Sequence, residues 1–196
     1  CVYDFEFERT CKMTTRSDCN ILNKTGSTSV QFFDGKLCTS EDLGTKCAPT
    51  RNTICVPGKD EVYFVDTCGN AGNIYDASKV SDKDYWSNIR DKAESCNPES
   101  GNGNSAACGN CNYPLGTICR QTNEVKTTYG EYICKDLNCE NTQNGNDYNH
   151  GESWIVYNDE GNKGNGDKTV GSRFYKHKCI NGEEVQEQCA DFRQED

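Results

Sequence analysis

Residues 172–189 read Ser-Arg-Phe-Tyr-Lys-His-Lys-Cys-Ile-Asn-Gly-Glu-Glu-Val-Gln-Glu-Gln-Cys, and this stretch indicates the fold class more clearly than any other. Two runs with strand-like alternation, Ser172–Ile180 and Glu183–Gln188, flank the dipeptide Asn181-Gly182. Asn-Gly accepts the positive φ angles that a tight hairpin turn requires. The stretch therefore predicts an antiparallel β-hairpin that ends next to a cysteine.

The charges of this hairpin support the same prediction. Alternation places two sets of residues on opposite faces: Phe174, Lys176, Lys178 and Ile180 on one, and Tyr175, His177 and Cys179 on the other. The returning strand carries three glutamates opposite the two lysines: Glu183, Glu184 and Glu187. Opposite charges on neighbouring strands stabilise a hairpin, so we expect cross-strand ion pairs.

Three further segments have sequence patterns that predict secondary structure. Residues 27–33 form a strand candidate that turns at Asp34-Gly35 and returns along 36–38. Residues 61–66 are rich in β-branched and aromatic side chains, which predicts a second strand. Residues 81–96 begin with a capping serine and acids and continue with apolar residues at helical spacing, which predicts the one short helix. The Gly- and Asn-rich segments 97–112 and 141–151 predict long surface loops.

Cysteine compensates for a small apolar content. Leu, Ile, Val and Phe together supply 30 of the 196 residues, whereas 15 residues are Cys. So many thiols indicate disulfides formed in an oxidising compartment. The Cys108-Gly-Asn-Cys111 spacing also suits a zinc knuckle with Cys134 and Cys139, but that site would leave eleven cysteines unexplained. We therefore expect a small disulfide-rich extracellular fold, mainly β, with long irregular loops and one short helix.

The chain has no evident linker, so residues 1–196 are expected to form one elongated unit. Two lobes, about 1–96 and 97–196, are an alternative within that unit. No basic or signal-like apolar segment precedes Cys1, which suggests a processed protein, a piece of a longer one or the repeat unit of a larger assembly. Its expected location is extracellular or at the cell surface.

Charge excludes several partners. The formal net charge is -10, from 21 Lys and Arg against 31 Asp and Glu, and no basic cluster occurs. Nucleic-acid binders need clustered cations to replace phosphate counterions, so nucleic acid is not an expected partner. No stretch approaches the roughly 20 apolar residues of a membrane-spanning helix, so no membrane insertion is expected.

Several segments of the sequence resemble uncharacterised cysteine-rich extracellular proteins predicted in small-genome archaea. These segments are Phe32–Cys38, Val62–Asn70, Ile74–Asp76, Asp84–Ser87, Val170–His177 and Cys189–Glu195. The resemblance covers most of the chain from about residue 30. It implies an extracellular location, and it gives no information on activity, cofactor or catalytic residues.

The odd cysteine count requires one sulfur without a partner in the chain. The family pattern has a cysteine where this chain has Ile155, and a further one shortly after Glu195. If copies were joined head to tail, the start of the next copy would supply that last cysteine. Cys1 is therefore the candidate for an unpaired or inter-subunit cysteine.

Candidate ligand sites are few. Asp159, Asn165 and Asp167 lie in an oxygen-rich loop that fails the EF-hand pattern, so they are candidates for a nonstandard calcium site, with a simple turn as the alternative. Calcium is the one cofactor considered, and otherwise none is expected. Asn23 begins the only Asn-X-Ser/Thr acceptor for glycosylation.

Aromatic and histidine residues suggest weaker alternatives. Tyr148, Trp154 and Tyr157 could form a surface that stacks on sugars, although the favoured interpretation of Trp154 is a core residue over a disulfide. The histidines His150 and His177 would need a free thiolate to form a Cys-His nucleophile, and oxidation of the thiols argues against it.

These observations predict a protein that is not an enzyme. We expect an extracellular structural or adhesive module, a candidate subunit of a surface fibre, whose partners are copies of itself and surface glycans. The alternative is a secreted domain that binds carbohydrate or calcium.

Overall fold

A computed structural model describes residues 1–22, 27–158 and 173–188. It confirms a disulfide-rich, mainly β fold built from several small sheets. The chain divides into two compact units, the first formed by Cys1–Tyr113 with Thr117–Lys135 and the second by Pro114–Gly116 with Asp136–Asp196. This division falls between residues 113 and 136, whereas the two-lobe alternative predicted from the sequence has its boundary near residue 97.

The first unit contains two three-stranded antiparallel sheets and a two-stranded ribbon. In the first sheet, with strand order β2-β1-β3, the strands are β1 (Val2–Phe5), β2 (Glu8–Cys11) and β3 (Thr28–Gln31). In the second sheet, with order β4-β5-β6, they are β4 (Thr53–Cys55), β5 (Val62–Val65) and β6 (Ala71–Ile74). The ribbon pairs β7 (Thr117–Gln121) with β8 (Tyr132–Asp136). Strand β5 confirms the prediction for residues 61–66.

Two buried clusters form the core of the first unit. The larger cluster contains Val62, Phe64, Tyr75, Tyr85, Trp86, Cys111, Cys119 and Cys134. The smaller cluster contains Val2, Cys11, Cys38, Leu43 and Cys47. Cysteine sulfurs thus occupy positions that aliphatic side chains fill in most domains of this size, which is why so low an aliphatic content is sufficient.

The second unit contains a three-stranded antiparallel sheet with order β11-β10-β9. Its strands are β9 (Ser153–Asn158), β10 (Arg173–Ile180) and β11 (Glu183–Gln188). The β10–β11 hairpin is confirmed, and its turn residues Asn181 and Gly182 both have positive φ. Lys178 Nζ lies 2.7 Å from the Glu187 carboxylate, as expected. Glu184 differs from the prediction, because its register partner is Cys179 and its carboxylate contacts His177.

The predicted helix at residues 81–96 is wrong. The only α-helix in the described ranges is α1 (Arg16–Leu22), and residues 81–96 form turns with one short 3₁₀ segment, Lys92–Glu94. The Asn73 amide donates to the carbonyls of Tyr85, at 2.5 Å, and Asn88, at 2.9 Å. Tyr85 and Trp86, adjacent in sequence, are both buried in the core. These tertiary contacts outweigh the helical signal of the segment.

The hairpin predicted at residues 27–38 is also wrong. Strand β3 pairs with β1, and Lys36 forms an isolated bridge with Asn88. Asp34-Gly35 does turn, and Gly35 has a φ of 67°. The turn therefore leads the chain to a distant segment, because residues 36–38 find their partners in the 86–89 segment and in the Cys11–Cys38 disulfide.

Buried asparagines organise the loop at 97–112. The Asn102 amide donates to three backbone carbonyls, those of Asn97, Ser100 and Asn110, at 2.9–3.1 Å. Asn110, which is fully buried, donates to the carbonyls of Lys92 and Cys96 at 3.2 Å each. Because side-chain amides satisfy these carbonyls, an irregular segment packs inside the unit without strands. The prediction of a surface loop therefore holds only for part of this segment.

Candidate functional site

Seven disulfides are the dominant chemical feature of the molecule. The pairs are Cys1–Cys19, Cys11–Cys38, Cys47–Cys68, Cys55–Cys119, Cys96–Cys108, Cys111–Cys134 and Cys139–Cys179. The first six lie in the first unit, and the last lies in the second unit. Their number indicates a protein that matures in an oxidising environment.

Cys1 is bonded to Cys19, so the prediction that Cys1 is unpaired or joins subunits is wrong. The N-terminal strand brings Cys1 to the buried helix residue Cys19. The seven pairs use fourteen of the fifteen cysteines without needing one at position 155, where Ile155 is exposed on β9. By count, the odd sulfur belongs to Cys189, which lies outside the described residues.

Cys108 and Cys111 do not form a zinc knuckle. They are oxidised with different partners, Cys96 and Cys134. Gly109, between these two cysteines, joins their loop to Val62 of β5 and to Tyr75: its amide donates to the Tyr75 carbonyl, and its carbonyl accepts from the Val62 amide. In the part of the chain that the structure describes, no group of three or more His, Cys, Asp or Glu side chains is placed to hold a metal ion.

The calcium candidates Asp159, Asn165 and Asp167 and the glycosylation candidate Asn23 lie outside the described residues. Those expectations therefore stay predictions.

In the first unit, the buried carboxylate of Glu61 pairs with the half-buried Lys92. Lys92 Nζ lies 2.6 Å from Glu61 Oε1 and donates to the Cys111 carbonyl at 2.5 Å, while the Tyr63 hydroxyl donates to Glu61 Oε2 at 3.0 Å. Burial raises the pKa of Glu61, but the hydrogen bond and charge of Lys92 outweigh it, and the pKa lies below its usual value. Burial and the Glu61 charge raise the pKa of Tyr63. Each polar atom has a partner within the group, so the arrangement is structural.

The two histidines are integrated into the second unit. His177 is buried, and its Nδ1 lies 2.5 Å from Glu184 Oε1. The other Glu184 oxygen accepts from the Gln143 amide at 2.8 Å, which ties the β10–β11 hairpin to the loop at 141–148. His150 is half-buried, and its Nδ1 accepts from the Asn181 amide at 3.1 Å. Neither histidine faces a thiolate among the described residues, because the described cysteines are all oxidised.

The structure brings Tyr148 and Trp154 together. Their rings stack with centroids 3.6 Å apart and planes inclined by 2°, and both side chains are half-buried. Asn144 Nδ2 donates to the Tyr148 hydroxyl at 2.7 Å, and the His177 ring lies 5.7 Å from the Trp154 ring. Each stacked ring covers one face of the other. Both interpretations of Trp154, as a sugar-stacking residue and as a core residue over a disulfide, stay predictions. The Tyr157 side chain lies outside the described part.

The sheets end in open edges whose side chains differ. Strand β11 is an edge with three glutamates, and charged residues at an edge discourage pairing with another chain. Strand β3 is an edge formed by Thr28, Ser29, Val30 and Gln31, with no charge. Strand β9, the other edge of the second unit's sheet, also carries no charge, so each unit has an uncharged edge strand.

The chain matches no protein-family model, no curated protein and no solved structure. The resemblance to archaeal extracellular proteins thus stays a prediction. None of the helices in the described ranges has the length and apolar character needed to cross a membrane.

Proposed function

We propose that this protein is a non-enzymatic extracellular structural or adhesive module that associates with copies of itself, as the subunit of a surface fibre. The observation that carries the proposal is the disulfide framework. Seven cross-links in one chain provide resistance to unfolding outside the cell, where neither chaperones nor a reducing pool protect a protein.

Three other features support self-association. By count, the other fourteen cysteines of the chain are paired with one another, which leaves the sulfur of Cys189 over. The uncharged edge strand β3 offers unpaired backbone groups, and large apolar residues are exposed in both units, among them Phe7, Ile89 and Ile155. Contact between copies would cover these groups.

The net charge of -10 opposes association of identical copies at low ionic strength. Salt screens that repulsion, so self-association should strengthen as ionic strength rises. Sedimentation velocity over a range of protein and salt concentrations, with electron microscopy of the same samples, tests the proposal. We expect particles larger than 21.9 kDa that grow into fibres. A monomer at every concentration and ionic strength would contradict it.

A carbohydrate-binding function is the second candidate, because the Tyr148–Trp154 stack lies beside the polar side chain of Asn144. Stacked aromatic faces with neighbouring amides suit a sugar ring. Isothermal titration calorimetry with neutral and acidic oligosaccharides tests this function, because it needs no fluorescence from the substituted Trp154. Trp154→Phe keeps an aromatic ring and should retain weak binding, Trp154→Ala should abolish it, and equal affinity in both variants would refute it.

A further inference from the structure

Strand β9 is the longest uncharged edge strand in the described ranges. It has six residues, whereas the other uncharged edges, β3, β4 and β6, have three or four. Neither β9 nor its neighbour β10 contains an acidic residue, although the chain carries a net charge of -10. A further strand can therefore approach this edge without meeting an acidic side chain on either strand.

The hydrogen bonds of the sheet show which backbone groups of β10 face β9. Near the end of β10, the Cys179 amide donates to the Glu152 carbonyl at 2.9 Å, and its carbonyl accepts from the Gly151 amide at 2.8 Å. Facing residues of an antiparallel pair alternate between bonded and unbonded positions. Every second residue of β10, namely His177 and Tyr175, therefore also bonds to β9.

Three residues of β9 consequently direct their N–H and C=O groups away from β10. Trp154 and Val156 are the register partners of the two bonded residues, so their backbone groups are used within the sheet. The residues that alternate with them face outward: Ser153, Ile155 and Tyr157. No other backbone group among the described residues bonds to these outward groups. An edge of this kind is a template for a further strand.

We propose that β9 of one copy pairs antiparallel with β9 of a second copy, about a two-fold axis at Ile155. This contact rests on the proposed self-association and names the surface that forms it. Ile155 then faces its own counterpart and Ser153 faces Tyr157, and each facing pair exchanges two backbone hydrogen bonds. Trp154 lies opposite Val156 of the second copy, and such pairs of aromatic and β-branched residues stabilise sheets.

Charge favours this edge over the others as the place where two copies meet. The pairing joins two sheets of three strands into one, with an acidic β11 at each end. Strands lie about 4.8 Å apart, so the two β11 strands are separated by about 24 Å and the two β10 strands, with their lysines, by about 14 Å. Both distances exceed the Debye length of about 8 Å at physiological ionic strength, so repulsion across the contact is largely screened.

The acidic ends also limit the sheet to two copies, because charged edges discourage a further strand. The contact is isologous, since the same strand serves on both sides, and it joins copies in pairs. Growth into a fibre then needs a second contact on another surface of each copy.

Sedimentation velocity of Ile155→Glu tests the pairing. The new carboxylate faces Lys176, the register partner of residue 155 within its own copy, but across the two-fold axis it faces a second carboxylate. The thermal midpoint of the dilute protein should therefore stay near that of the wild type, while association weakens about tenfold. Ile89→Glu is the matched control, because it makes the same change at a side chain of similar exposure, 50% against 59%, and should associate like the wild type.

Ile155→Lys is the complementary variant, since two lysines would also face each other across the axis. Alone, it should associate as weakly as Ile155→Glu. Mixed in equal amounts, the two variants should form one-to-one heterodimers, because each glutamate then faces a lysine. A strand from a different protein would not give this recovery. If both variants associate like the wild type, or if the mixture does not recover, the inference is overturned while the proposed function stands. A wild type that never assembles overturns the proposed function itself.

Amide hydrogen exchange tests the register separately. The Trp154 and Val156 amides bond within the copy and should exchange slowly at every protein concentration. The Ile155 and Tyr157 amides should exchange fast in the dilute monomer and slowly after association. Slow exchange of the Ile155 amide in the monomer would show that the chain covers its own edge, and the second copy would then have no place on β9.

Discussion

Removal of the Cys55–Cys119 disulfide should destabilise the protein more than removal of the Cys96–Cys108 disulfide. The first pair spans a sequence separation of 64, and the second spans 12. The two changes are otherwise well matched, since each pair has one buried and one half-buried cysteine. Replacing both cysteines of a pair by alanine makes the same residue change at similar burial in each case. The difference in stability between the two variants therefore reports the effect of loop length.

The expected magnitudes follow from the entropy of the unfolded chain. Closing the loop of 64 residues is worth about 4.3 kcal/mol, and closing the loop of 12 about 2.8 kcal/mol. Other bridges inside the long loop shorten its path, but the dependence is logarithmic and the change is small. The difference of about 1.5 kcal/mol corresponds to roughly a tenfold difference in the unfolding equilibrium constant.

Guanidinium unfolding followed by the fluorescence of buried Trp86 measures both variants. Mildly acidic pH suppresses thiolate exchange with the odd cysteine during the experiment. We expect the long-loop variant to unfold at the lower denaturant concentration. An equal or greater loss of stability in the Cys96/Cys108 variant would show that native packing around each bridge, and not the closed loop, determines its contribution.

Three further predictions concern other parts of the structure. Gly109→Ala should cost about 1–3 kcal/mol in a denaturant titration, because the added Cβ would lie 2.7 Å from the Val62 Cβ, whereas Gly72→Ala, with its nearest atom at 3.1 Å, should cost less. Glu61→Gln should lower stability at neutral pH. Folding lowers the pKa of Glu61, so the loss of unfolding free energy in Glu61→Gln should be full at pH values above the unfolded pKa of about 4.5. This loss should shrink as the pH falls through the folded pKa. A loss that does not change with pH would refute the ion pair. Thiol titration of the denatured monomer should find one free thiol, at Cys189, and a larger number would contradict the seven pairs.

The features that could be predicted from sequence are those that adjacent residues specify. Asn181-Gly182 provides the backbone freedom for a tight turn, and the alternation on either side of it sets the hairpin register. Strand β5 is also specified by adjacent residues, since its β-branched and aromatic side chains suit a half-buried sheet.

The predictions that failed depend on distant residues. The helical pattern at 81–96 was overridden by the Asn73 amide and by the joint burial of Tyr85 and Trp86. The hairpin expected at Asp34-Gly35 was prevented because Lys36 pairs with Asn88 instead of with residues 28–33. Glu6-Phe7 carries no conventional turn signal, so the β1–β2 turn, in which both residues have positive φ, could not be predicted from its residues.

The amino-acid sequence alone determined that sulfur would replace aliphatic burial, that the protein would be mainly β and that one cysteine would be left over, because composition, parity and local alternation need no knowledge of distant contacts. Only the tertiary structure decided which sulfurs bond. Cys1 reaches Cys19, and Cys108 and Cys111 separate to different partners, because a disulfide needs two Cβ atoms a few ångströms apart and chain folding alone sets that distance.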